Sequence, residues 1–147
     1  MRGIVPIAAL VAGFASAAER PRIEHLDSGS ILPKGELPFS EAVRVGDTLY
    51  LSGQIGVKPG TLELVPGGME AEAKQVLANV RTTLEAHGWS LRDVVKCTVM
   101  LADMKDWPAF NAVYKEAFAA PYPARSALGA NGLALGARVE LECIASR

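Results

Sequence analysis

Cysteine and histidine are scarce in this 147-residue chain, with two of each. His25 and His87 stand far apart, and no Cys-x-x-Cys spacing occurs, so neither a zinc cage nor a histidine metal site is encoded locally. An excess of charge of one sign is also missing: 15 Lys and Arg balance 16 Asp and Glu. Such a balance offers no basic stripe for a phosphate backbone, so nucleic acid is not an expected partner. Ser52 and Ser126 have no histidine nearby and no Gly-x-Ser-x-Gly turn, which argues against triad chemistry. Internal repeats, heptad seams and low-complexity blocks are absent. The chain is long enough for one domain with a proper core and too short for two ordinary ones.

Long apolar runs are missing as well. The longest stretch near the start, Ile4 to Phe14, is about half of what crosses a bilayer. Arg2 precedes it and Ala15-Ser16-Ala17 follows, so residues 1–17 read as a secretory signal peptide, leaving no membrane segment after cleavage. The expectation is an exported, periplasmic protein; a start assigned too far upstream would leave it cytoplasmic.

After a polar lead at 18–36, a domain is expected over 37–147. Residues 39–56, "FSEAVRVGDTLYLSGQIG", hold two β-like runs joined at Gly46-Asp47, a hairpin signal. From Met69 to His87 the period becomes helical, with Ala73, Val76, Leu77, Val80 and Leu84 on one stripe and Gly88 as the stop. The β-branched run Val94 to Leu101 is a strand. A second helix follows, with Asp106 as its cap, Pro108 in its first turn and Phe110, Val113, Tyr114, Ala117 and Phe118 on one face. Strands at about 124–130 and 137–146 finish the chain. The order β-β-α-β-α-β-β predicts an α/β (α+β) domain: one mixed sheet with both helices on one side.

Cys97 and Cys143 lie on different predicted strands. A disulfide is open to them in an oxidising compartment, but the sequence does not bring their Cα atoms together, and two buried thiols are expected. Trp89 and Trp107 read as core or interface anchors. His87 is expected to interact with a helix dipole.

The last strand carries the chemistry. In "ARVELECIA" Arg138, Glu140 and Glu142 share one face, while Val139, Leu141 and Cys143 share the other, which should meet the helices. In "PARSALGA", if Leu128 packs under the helices, Arg125 points the same way as Glu140. A guanidinium captures a carboxylate bidentately, and a nearby glutamate can orient or deprotonate water. By parity alone the commoner reading is an ordinary cross-strand ion pair on a solvated face or at a subunit interface. A single small sheet cannot wall in a cleft on its open face, so a pocket there needs a second subunit.

The string "YPARSALGANGLALGARVELECIA" resembles the C-terminal signature of the RidA (YjgF/YER057c/UK114) family. "LYLSGQIG", "QVLANVRTTLEAHGWSLRDVVKCTVML" and "DWPAFNAVYKEAF" are similar to its other blocks, in order, from about Leu37 to Ala145. The resemblance implies a chorismate-mutase-like fold, a homotrimer with pockets between subunits, and hydrolysis of 2-imino acids to 2-keto acids and ammonia without metal or organic cofactor. It also implies that Arg125 binds the substrate carboxylate, Glu140 positions water and Gly53 lines the pocket with its backbone. Asn111, on the second helix, would approach a neighbouring subunit's pocket or make a local bond. Phe39 stands where the family commonly has tyrosine, and Ala127 where it commonly has cysteine, so a hydroxyl and a thiol are missing. The competing reading is a non-catalytic small-carboxylate binder on the same trimer. RNA cleavage, attributed to some relatives, sits poorly with the acidic balance.

Overall fold

The computed structural model describes residues 19–33, 35 and 37–147; the expected signal peptide at 1–17 lies outside the described residues. Seven strands form one sheet: β1 (Ile23–Leu26), β2 (Ala42–Val45), β3 (Thr48–Leu51), β4 (Gln54–Ile55), β5 (Val94–Leu101), β6 (Ala124–Gly129) and β7 (Val139–Ser146). Two helices cross between them, α1 (Gly68–Ala86) and α2 (Trp107–Ala117). The strand order is β1-β2-β3-β7-β5-β6, with β4 continuing the line of β3 along β7. Among the described strands only β5 and β6 run parallel, and α2 supplies the crossover that a parallel pair requires.

The mixed sheet and the two helices on one side are as the patterning predicts. Gly46 takes φ +57 at the β2–β3 turn, a left-handed conformation that glycine adopts without a Cβ clash. Helix α1 buries Ala73, Val76, Leu77, Val80 and Leu84 on its inner stripe and ends where Gly88 turns left-handed at φ +78. Its buried Asn79 donates to the carbonyls of Ile55 and Val57, both at 3.0 Å, which ties the helix to β4. Val139, Leu141, Cys143 and Ala145 of β7 lie buried beneath the helices, each alternating with a more exposed neighbour.

Four local expectations differ from the structure. The fold begins inside the polar lead: β1 pairs with β2, and Ile31 is buried, because its alternation is too short to stand out in sequence. Asp106 precedes α2 but makes no capping bond; its carboxylate instead accepts two bonds from Arg138, at 2.7 and 3.1 Å, since a guanidinium fork outcompetes a backbone amide. His87, the C-cap of α1, places Nε2 3.1 Å from Glu41 Oε2. Glu41 also accepts from Ser28 N–H at 2.7 Å and from the hydroxyls of Ser28 and Thr83 at 3.0 Å. Burial would push the Glu41 carboxyl up, but these donors outweigh it and hold it below the usual carboxylate range. The cluster pins the segment around Ser28 to the end of α1.

The fourth difference is a disulfide between Cys97 and Cys143, not two thiols. They are direct partners of adjacent antiparallel strands with Cα atoms 4.1 Å apart, and both face the helices. Register, invisible before the strands are paired, brings them together.

Breaking this link should cost about 2–4 kcal/mol. We expect dithiothreitol to lower the melting temperature of the wild type while leaving Cys97→Ser/Cys143→Ser unaffected; an unchanged wild-type melt would show that the link carries no stability.

Candidate functional site

Glu140 sits on the face of β7 away from the helices, opposite Ile55 of β4 and Met100 of β5. Between β3 and β4 the chain breaks its pairing at Ser52-Gly53, and the Glu140 carboxylate lies against that break. A Cβ at position 53 would overlap Glu140 Oε1, so glycine is what lets the carboxylate lie there. Burial pushes the Glu140 carboxyl above its ordinary range, and the negative charge of Glu142 pushes it further. The carboxylate opens into a cavity of about 270 Å³ that Gly53 and Phe39 also line. Three of the expected site residues are therefore together.

Arg125 is not with them. In the parallel pairing of β6 with β5 it stands opposite Cys97, and Cys97 faces the helices. Its guanidinium carbon lies 4.7 Å from the Trp107 ring centre and 4.5 Å from that of Tyr114, both on α2. Nη2 donates to Asn111 Oδ1 at 2.8 Å. The expectation that Arg125 and Glu140 share a face is overturned: within one chain they occupy opposite sides of the sheet. Leu128 misleads the parity reading. It is 47% exposed on the helix-free face, whereas Ala127 packs against the core. Strand β6 is an edge strand, and α2 covers it with an aromatic shelf suited to a flat cation rather than to leucine.

The shelf itself escapes a reading of β-strands alone. Trp107, Asn111 and Tyr114 recur at i, i+4 and i+7 of α2, a single helical stripe, which is the signal that could have found it. Trp107 packs against the core, as expected, and also supports Arg125. Tyr114 is buried, and burial raises its phenol pKa although the Arg125 charge opposes this. Among the described residues no carboxylate forms an ion pair with Arg125. Its remaining donors face a cavity of about 190 Å³ bounded by Asn111, Tyr114, Lys115, Tyr122 and Pro123. The guanidinium is held flat, oriented by Asn111 and open on one edge, a geometry that suits a carboxylate ligand. Among the described residues no group of three or more His, Cys, Asp or Glu is arranged to hold a metal.

The family described as Endoribonuclease L-PSP matches residues 32–147. A 2-iminobutanoate/2-iminopropanoate deaminase of Capra hircus is 49% identical over 108 residues, 74% of this chain and 79% of that protein. The protein of that name from Dermatophagoides farinae is 44% identical over 117 residues, 80% of this chain and 91% of its own. Among solved structures, RidA from an Antarctic Psychrobacter matches with a TM-score of 0.78 at 40% identity, over 84% of this chain and 99% of that one.

The raised Glu140 pKa makes the sign of its linkage clear. The ionised carboxylate disfavours the fold, so its contribution to stability is full below the ordinary glutamate pKa and is lost as pH rises through the raised value. Glu140→Gln should therefore melt higher than wild type at pH 7, with the gap closing toward pH 4; an equal melt at pH 7 would contradict the burial of this charge.

Proposed function

Because the chain belongs to the Endoribonuclease L-PSP (RidA/YjgF) family, we propose that it hydrolyses reactive 2-imino acids, such as 2-iminobutanoate and 2-iminopropanoate, to 2-keto acids and ammonia. The observation that carries this reading is a carboxylate with a raised pKa in one cavity and an open guanidinium in another, on opposite faces of one sheet. Opposite faces of one chain become one site when copies assemble. In this reading a homotrimer sets Arg125 of one copy against the Glu140 cavity of the next, with the helix-free sheet faces turned inward. Tyr50 and Leu128, both about half exposed on that face, are apolar surface that such packing would cover.

The chemistry follows from the two groups. Arg125 fixes the substrate carboxylate, which sets the C=N carbon beside Glu140. The carboxylate takes a proton from water as its oxygen bonds to that carbon, and the C=N π electrons move to nitrogen. Glu140 returns that proton to the nitrogen, giving a neutral carbinolamine, and then carries the hydroxyl proton to the same nitrogen as the C–N bond breaks, so that the C=O bond forms and ammonia leaves. A carboxyl with an elevated pKa accepts and returns a proton more evenly than an ordinary glutamate. Among the described residues Glu140 is the one acidic side chain lining this cavity, and Phe39 adds no hydroxyl. A binder without catalysis needs Arg125 but has no use for a carboxylate forced into partial burial. Ala127, packed on the core, lines neither cavity.

We also propose that the protein is exported. The signal-like stretch motivates this, and a cross-strand disulfide suits an oxidising compartment. The mass of the protein recovered from the periplasm should correspond to a chain starting at Ala18; a mass including Met1 would refute cleavage.

The catalytic reading is tested by generating 2-iminopropanoate in situ with an amino-acid oxidase and following its decay. Arg125→Ala and Glu140→Gln should each slow the enzyme by about a hundred-fold or more. Co-assembling the two inactive variants in equal parts should restore activity, because about one intersubunit site in four then holds both intact groups. Activity that stays absent in a mixed trimer would mean that both groups act within one chain.

A further inference from the structure

The cavity at Glu140 is walled almost entirely by hydrocarbon. Leu32, Leu37, Phe39, Ile55, Leu62 and Leu135 surround the carboxylate, contributed by four separate stretches of chain. Of the ten exposed large apolar side chains among the described residues, four stand at this one opening: Leu37 at 41%, Phe39 at 50%, Leu62 at 54% and Leu135 at 55%. Apolar surface gathered at one place, instead of scattered singly, marks a binding surface.

Leu135 is held there against its backbone preference. It takes φ 56 and ψ 14, the left-handed region, and no other described residue except glycine has positive φ. Gly132 and Gly136 adopt positive φ in the same loop, so glycine was available for the turn, yet a leucine occupies this position at the cavity mouth. Unfavourable backbone at a site points to a functional constraint on the side chain.

We infer that this cavity is a side-chain subsite selecting 2-imino acids with large aliphatic or aromatic side chains, with Leu135 and Leu62 as specificity-determining residues. The inference rests on the deaminase reading above. A volume of 270 Å³ accommodates about nine water-sized groups at roughly 30 Å³ each. The methyl of an alanine-derived imine leaves most of that space unfilled, whereas an isobutyl or benzyl group reaches the leucines. Among the described residues of this chain Glu140 is the one charged residue of the lining, and the Arg125 of the next copy is already engaged by the substrate's own carboxylate. A second carboxylate on the substrate would be repelled and unpaired, so acidic imino acids are excluded.

The test compares imines generated in situ from L-alanine, L-leucine, L-phenylalanine and L-glutamate by an amino-acid oxidase. The leucine- and phenylalanine-derived imines should show kcat/KM about ten-fold or more above the alanine-derived one, with the glutamate-derived imine slowest. Leu135→Ser should lower the leucine-to-alanine ratio several-fold and Leu135→Met should preserve it. Leu135→Gly should lower the ratio without lowering the melting temperature, since it relieves the left-handed strain while removing the contact. Equal constants for all four imines, or a ratio unmoved by Leu135→Ser, would overturn the inference while leaving the deaminase reading standing. Hydrolysis of none of them would overturn both.

Discussion

Strand β7 is held between β3 and β4 on one edge and β5 on the other, so its side chains have no choice of face. Val139, Leu141, Cys143 and Ala145 go under the helices, and full burial of a Val or Leu side chain stabilises by roughly 1.5–3 kcal/mol. A shift of one residue would exchange that core for glutamates. The same alternation that builds the core thus delivers Glu140 to the opposite face, where a carboxylate would otherwise have little reason to be half-buried. Stability of the strand underwrites an unfavourable position for one of its members.

That position is built by an absence on the neighbouring strand. Ser52 and Gly53 interrupt β3 and β4, and the Ser52 hydroxyl and N–H are both engaged with the chain preceding β2. The gap has room for the Glu140 carboxylate because position 53 has no Cβ. Arg125 is supported by the reverse device, extra mass: two aromatic rings and an amide on α2 fix its plane. One group is buried by removing atoms and the other is oriented by adding them.

The Glu41 cluster serves both ends of this design. It fastens the segment leading to Ile31 and Leu32 onto α1, and Leu32 is part of the Glu140 cavity wall. A buried carboxylate satisfied by four donors is rigid, because releasing it would leave a charge without partners. The apolar wall beside Glu140 is accordingly anchored by a polar network that never touches the cavity.

Periodicity in the chain was enough to determine the two helices, the hairpin, the inward set of β7 and, through its motifs, the family. Each of these depends on neighbours within a few residues or on a repeat of 2 or 3.6. Strand β1 is too short for such a repeat, and the Cys97–Cys143 link depends on which strands pair and in what register. The face of Arg125 was decided only by tertiary structure. Leu128 suggested one parity, but the parallel pairing of β6 with β5 and the aromatic stripe of α2 imposed the other. Hydrophobicity assigns faces reliably in a central strand, which is covered on its helix side. It fails at an edge strand, where a cation can be sheltered by aromatic rings and a leucine can lie on open surface.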